Sequence, residues 1–272
     1  MIQDIAPQKF DNSFKMILPE DTDTVFAFDD DGSLFASITD RCITFTTRNE
    51  ISKAECIYLF SIDDKRFFLR LGAEDHIPSG FEAYPIRKLR DNGSGSELFA
   101  AFTAYHLWRW YTDNRFCGHC KEKMSHSEKE RALCCSKCGN TVYPRINPAV
   151  IVGVINGDKI LITRYRTGYS HNALIAGFAE IGETLEETVS REVMEEAGIK
   201  VKNIRYYRSQ PWGMAQDLLV GFYCEADGDD TIRMDEGELR YAAWTTREDL
   251  ELQPNNLSLT NEMMRMFKEN RI

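Results

Sequence analysis

The segment from Thr184 to Ile199, TLEETVSREVMEEAGI, limits what this chain can fold into more than any other stretch. Thr184 followed three residues later by Glu187 is a capping-box pair, whose hydroxyl and carboxylate satisfy the amides a helix start leaves open; Gly198 before Ile199 supplies a left-handed stop. Between these ends Leu185, Val189, Val193 and Ala197 recur every four residues, so one apolar stripe must be covered by another layer of the protein. The rest of the helix surface is crowded by Glu183, Glu186, Glu187, Glu192, Glu195 and Glu196. Glu192 lies three and four residues before Glu195 and Glu196, and each such like-charge pair costs roughly 0.2–0.5 kcal/mol. Glu195 and Glu196 also stand at the negative pole of the helix dipole. A solvated acidic face is the bland reading, but with Arg191 as the segment's one basic residue the last turn has no local compensation. The pattern points instead to divalent cations: Mg²⁺ or Mn²⁺ takes carboxylate oxygens and bridges phosphates.

Composition narrows the class of partner. The 272 residues are 43% hydrophobic and carry a formal net charge of −10, and no window holds five consecutive basic residues. A large core is within reach, and long nucleic acid is excluded as the main partner. The opening MIQDIAPQKFDNSF lacks a signal-peptide core and no apolar run reaches 18 residues, which predicts a cytoplasmic protein with no membrane partner.

Eight cysteines divide into two groups. Cys42, Cys56 and Cys224 stand alone in apolar or strand-like contexts and are expected to be buried small hydrophobes. Cys117-Gly-His-Cys120 and Cys135-Ser-Lys-Cys138, fourteen residues apart, form two C-x2-C knuckles spaced to bring four thiolates onto one tetrahedral Zn²⁺. Cys134 falls outside the two-residue spacing and His119 is surplus to a shell of four. A zinc ribbon alone would suggest a nucleic-acid-binding module, which the acidic balance opposes.

Along the chain, short β-branched and aromatic runs from Thr24 to Arg70 predict a β-rich N-terminal domain over residues 1–94, ending at the Gly/Ser break DNGSGS (Asp91 to Ser96). Residues 95–143 read as a linking helix, with Leu98, Phe102, Leu107 and Trp110 apolar and His106 a packing or surface residue, followed by the ribbon. Residues 144–272 read as a third domain: a hairpin across Asn156-Gly157, the strand ALIAGF, the acidic helix, three more strands and a helix from about Ser258 to Lys268. Strands interleaved with helices and an antiparallel hairpin give an α+β or mixed α/β class.

Gly177, Glu183, Arg191, Glu192, Val193, Glu195, Glu196, Gly198 and Ile199 fit G-x5-E-x7-R-E-U-x-E-E-x-G-U, with U aliphatic, at every defined position. On these residues the chain resembles the Nudix hydrolases. The resemblance implies an α/β/α sandwich in which water, helped by divalent cations, attacks a nucleoside diphosphate linkage. It implies that Arg191 orients Glu183, and that Glu192, Glu195, Glu196, the Ala176 carbonyl and distant Glu238 face the cations. Glu196, Glu195 and Glu238 all stay open as the general base.

The ribbon before the motif and SQPW at Ser209–Trp212 resemble the NADH pyrophosphatase (NAD diphosphatase) group, well from about Phe116 onward and loosely before it. That group implies a homodimer splitting NAD(H) into nicotinamide mononucleotide and AMP, with NAD-capped RNA as a further substrate. Carried over, substrate contacts fall on Glu130, Phe178, Gln210, Trp212 and Tyr143, the last reaching from the other subunit. The chain departs from the group downstream: SQPWGMAQD puts Gly213, Met214, Ala215 and Asp217 where Pro, Phe, Pro and Ser are usual, and Thr260 where Ala is usual. Lost prolines are expected to loosen the loop, and Asp217 to bring a negative charge to the substrate. NAD(H) is therefore the leading substrate, another dinucleotide or a nucleotide-sugar diphosphate the alternative. A non-catalytic nucleotide sensor is the rival from a different class.

Overall fold

The computed structural model describes the whole chain except residues 52–53, 73–75, 91, 94 and 169. It folds as two compact units, one of Ile2–Arg145 with Trp212–Gln216, the other of Met1, Ile146–Pro211 and Asp217–Ile272.

The first unit contains β1 (Phe10–Asp11), β2 (Thr24–Phe26), β3 (Ser33–Thr39), β4 (Cys42–Phe45), β5 (Cys56–Ile62), β6 (Lys65–Arg70), β7 (Glu82–Pro85), α1 (Ile86–Leu89), α2 (Gly95–Asp113), β8 (Ser125–His126), β9 (Leu133–Cys134) and β10 (Thr141–Val142). They form a four-stranded sheet β1-β5-β6-β2 and two three-stranded sheets, β4-β3-β7 and β10-β9-β8. The N-terminal region is thus β-rich, with Val25, Ala27, Phe35 and Phe68 in its core. Leu98, Phe102, Leu107 and Trp110 of α2 are buried as their spacing predicts. In the DNGSGS stretch, Asp91 and Ser94 lie outside the described residues, and α2 already begins at Gly95. Cys56 and Cys224 are buried but Cys42 is exposed, against expectation. The reason is strand alternation: Ile43 and Phe45 take the inward face of β4, which turns Cys42 and Thr44 outward.

The second unit is built on β11 (Asn147–Asn156), β12 (Lys159–Tyr165), β13 (Ile175–Phe178), α3 (Leu185–Ala197), β14 (Val201–Trp212), β15 (Asp217–Ala226), β16 (Leu239–Thr246) and α4 (Leu259–Lys268). The sheet runs β14-β15-β11-β12-β16, with β13 also on β11. β11 pairs with β15 in parallel and is apolar almost throughout because both its faces are covered. Val150, Val152, Val154 and, on β12, Leu161 pack with Val189, Val193 and Ala197 of α3. The alternate residues Ile151, Ile160 and Ile162 pack with Leu259, Met263, Met264 and Phe267 of α4. One sheet between two helical layers is the α/β/α sandwich that the resemblance implied.

One topological detail positions the site. Along the same edge of β11, Ala149–Val152 pair with β13 while Ile155 and Asn156 pair with β12. β12 and β13 therefore share that edge, and the segment just before β13 meets β12 at the bridge Thr163–Ala173. Beyond it the sheet divides, and the backbone of β13 that faces away from β11 must find other partners.

Candidate active site

α3 begins as its sequence dictates. Thr184 accepts from the Glu187 amide at 3.2 Å, Glu187 accepts from the Thr184 amide at 2.7 Å, and Gly198 closes the helix at φ 70°. Leu185 is half-buried and Val189, Val193 and Ala197 are fully buried, so the apolar stripe fixes the helix rotation and with it the direction of every glutamate.

Arg191 is the hub. Its Nε and Nη2 hold Glu183 at 2.6 and 2.9 Å, its Nη1 reaches Glu192 at 2.7 Å and Glu195 at 2.9 Å, and Nη2 also donates to the Phe178 carbonyl at 2.9 Å. One planar fork thus ties the loop before the helix to its last two turns. Glu183 also accepts from the Glu180 amide and the Thr188 hydroxyl, and Arg191 holds its carboxyl down at about 2. Arg191 orients Glu183 as anticipated, and in addition holds Glu192 and Glu195.

Glu196 corrects the sequence reading, which placed it on the helix surface: it is 2% exposed. Burial pushes its carboxyl up to about 8, reinforced by the charges of Glu238 and Glu192. Its hydrogen-bond partner is uncharged: the Tyr165 hydroxyl, at 3.3 Å from each carboxylate oxygen. Burial likewise raises Glu192, whose carboxyl lies against the backbone of β13. A Cβ at Gly177 would fall 1.9 Å from Glu192 Cδ, so only glycine leaves room for this carboxylate. Ala176 is half-buried on the same strand, and Glu238 is exposed just before β16, its carbonyl accepting from the Arg166 amide. The charges of Glu192, Glu196 and Glu238 oppose one another, and burial desolvates the first two. Glu195 is turned to solvent and held by Arg191.

Tyr165 is the residue that motif reading missed. Period two along β12 puts it on the face of Leu161 and Thr163, the face that carries α3, and that alternation was the available signal.

The four ribbon cysteines meet with their sulfurs within 4.8 Å of one another. Cys117 lies 3.6 Å from Cys138, and Cys120 lies 3.4 Å from Cys135. The two knuckles repeat one geometry: Lys121 donates back to the Cys117 carbonyl and Gly139 to that of Cys135, at φ 65° and 75°. Backbone amides of Cys120 and His119 draw the Cys117 thiol down, while the neighbouring sulfurs push Cys120 up. Cys134 stays outside the cluster and His119 is exposed. The set fits a zinc ribbon.

The other anticipated substrate contacts divide. In the first unit Tyr143 donates to Glu130 at 3.0 Å, both exposed, and Trp212 packs edge-on to Phe102 with the Arg90 guanidinium 5.5 Å from its ring. In the second, Phe178 is 54% exposed beside Gly177, and Thr260 is half-buried on α4. Gln210 is fully buried: its amide donates to the Leu257 carbonyl and accepts from the Leu259 amide, an arrangement that seats the start of α4. Asp217, expected to meet substrate as a charge, is 6% exposed at the start of β15, and burial lifts its carboxyl to about 6. Nor is the loop slack at Gly213, where a Cβ would meet the Phe102 carbonyl at 2.0 Å.

Residues 145–267 match the family model described as NUDIX domain. Proteins named NAD-capped RNA hydrolase NudC from Escherichia coli O9:H4 and Citrobacter koseri are each 45% identical over 151 residues, 54% of this chain and 58% of theirs. The chain thus spans less than two thirds of the curated relatives it matches. A crystal structure of a NUDIX hydrolase from Nitrosomonas europaea aligns with 57% of this chain and 91% of its own, at 20% identity and a TM-score of 0.48. Among the described residues no helix is long and apolar enough to cross a membrane.

Proposed function

We propose that this chain hydrolyses the pyrophosphate of NAD(H), giving nicotinamide mononucleotide and AMP, and that it also removes NAD caps from RNA. It would act as a cytoplasmic homodimer of three domains, bounded near residues 94 and 143. The observation that carries the reading is the buried Glu196 beside Glu192 and the Ala176 backbone, set in an intact motif within a chain 45% identical over 151 residues to proteins named NAD-capped RNA hydrolase.

Divalent cations, when bound, would supply Lewis-acid chemistry at the pyrophosphate, with Glu192, Glu195, Glu196, Glu238 and the Ala176 carbonyl as the groups to hold them. Glu196 is our base candidate, because it is buried beside the Ala176 backbone whereas Glu195 is engaged by Arg191. Arg191 and Glu183 keep the loop before the helix in register. Phe178, Trp212 and Tyr143 offer faces on which planar bases stack, with Glu130 beside Tyr143. Zinc in the four-cysteine site has a structural role.

The burial of Gln210 and Asp217 favours a second reading of specificity, in which SQPWGMAQD serves the fold and selects a different dinucleotide or a nucleotide-sugar diphosphate. The test is to incubate the purified chain with Mg²⁺ or Mn²⁺ and NAD⁺, NADH, ADP-ribose, diadenosine polyphosphates and NAD-capped RNA in parallel. AMP from NADH, reduced by orders of magnitude in Glu196→Gln, supports the proposal; tight nucleotide binding with no product from any substrate would overturn it in favour of a sensor.

A further inference from the structure

The division of the sheet between β12 and β13 leaves the amide and carbonyl of Ala176 facing away from β11. The Tyr165 side chain fills that place. Its hydroxyl accepts from the Ala176 amide at 3.1 Å and lies 3.3 Å from both carboxylate oxygens of Glu196, with the carbonyls of Leu174 and Ala176 each at 3.5 Å. A phenol has one proton to give. Since the Ala176 amide already donates to the oxygen, that proton is directed to its nearest acceptors, the Glu196 carboxylate.

The ring is aimed there by the backbone. The pairing of β12 with β16 shifts register between Arg164 and Tyr165, where Arg164 faces Tyr241 and Tyr165 faces Leu239. The extra residue is Arg240, on β16, so β12 keeps its alternation and Tyr165 stays on the face of Leu161 and Thr163. Arg164 is drawn the other way, over the Tyr241 ring at 4.9 Å and onto Asn172 at 2.8 Å.

We propose that Tyr165 is a positioning residue for the cation site: its hydroxyl clamps the Ala176 backbone to the Glu196 carboxylate and sets the spacing of these two groups. The proposal rests on the reading that both face the cations. β13 and α3 approach the site from different layers, and the hydroxyl joins them by hydrogen bonds a cation does not itself supply. Groups of this kind, which hold a ligand by its far side, change metal affinity about 10–100-fold when removed.

The test uses the full chain with its zinc and measures Mn²⁺ binding from the free-ion electron paramagnetic resonance signal, without substrate, in wild type, Tyr165→Phe, Glu196→Gln and the double variant. The expected result is at least about tenfold weaker Mn²⁺ binding in Tyr165→Phe at unchanged zinc content, and no further effect of Tyr165→Phe once Glu196 is Gln, because the hydroxyl acts through that carboxylate. Steady-state kinetics should show the activating Mn²⁺ concentration raised while KM for the dinucleotide is unchanged. Wild-type Mn²⁺ affinity in Tyr165→Phe, or an equal loss in both Glu196 backgrounds, overturns the clamp. Wild-type affinity in Glu196→Gln instead overturns the reading of the cation site, and the clamp with it. Should Tyr165→Phe not fold, ring-labelled tyrosine in the wild-type chain carries the test: its Tyr165 ζ-carbon resonance should move on Mg²⁺ addition, and a resonance that stays fixed refutes the role.

Discussion

The burial of Glu196 has a cost measurable without any substrate. Its carboxyl is raised from an ordinary 4.5 to about 8, first by desolvation and then by Glu238 and Glu192. Between those values the folded chain holds a proton that the unfolded chain has released, so stability falls by about 1.4 kcal/mol for each pH unit of rise. The sign follows from the raised value: the contribution is fully present below pH 4.5 and is lost as pH passes through about 8, a total near 5 kcal/mol as an upper bound. Glu196→Gln removes the titration while keeping the volume. Urea denaturation of both proteins from pH 5 to pH 9, zinc retained and no Mg²⁺ or Mn²⁺ added, should show the variant gaining on wild type as pH rises and the difference levelling above about pH 8. Adding Mg²⁺ at about 100 times its Kd should return about 2.7 kcal/mol to wild type and less to the variant. A stability difference independent of pH, or a variant weaker than wild type at pH 9, would refute the argument that this carboxylate is buried without a cationic partner.

Three further outcomes follow from other parts of the site. Gly177→Ala places a methyl where the Glu192 carboxylate lies, so Mn²⁺ affinity and turnover should both fall at least tenfold while the melting temperature changes little, as isothermal titration and circular dichroism would show. Thr184→Ala removes the capping box of α3 and should cost about 1 kcal/mol in chemical denaturation, with KM for the substrate unaltered. Cys117→Ser should abolish the zinc, near one per chain by elemental analysis in wild type, because the closed four-sulfur set loses a member.

The legibility of the chain followed the range of its interactions. The capping box, the Gly198 stop, the β11–β12 hairpin and the two knuckles are local, and each was readable from residues a few positions apart. The Arg191–Glu183 pair was readable because a family resemblance supplies a contact eight residues apart. What escaped depends on packing between distant strands. The alternation of α3 says that Glu196 is off the Leu185–Val193 stripe, but not that β12 arrives beside it, so a buried acid was taken for a surface one. Gln210 and Asp217 were assigned to substrate by position in a motif, whereas the start of α4 and the β11–β15 pairing claim them, and no local pattern reveals that. Tyr165 looked like the last aromatic of a strand, and its hydroxyl gains a role only because the sheet divides next to it.

The interleaving of stripe and charge on α3 has a consequence for anyone reading variant data. Val193 is wholly enclosed by the sheet, yet it is the immediate neighbour of Glu192 and stands two and three residues from Glu195 and Glu196. A substitution such as Val193→Ala opens a cavity under the helix, and whatever part of it the helix closes moves the attached carboxylates. Screens that score activity alone will register such changes as lesions of chemistry, and only a parallel measure of cation affinity separates a moved glutamate from a missing one.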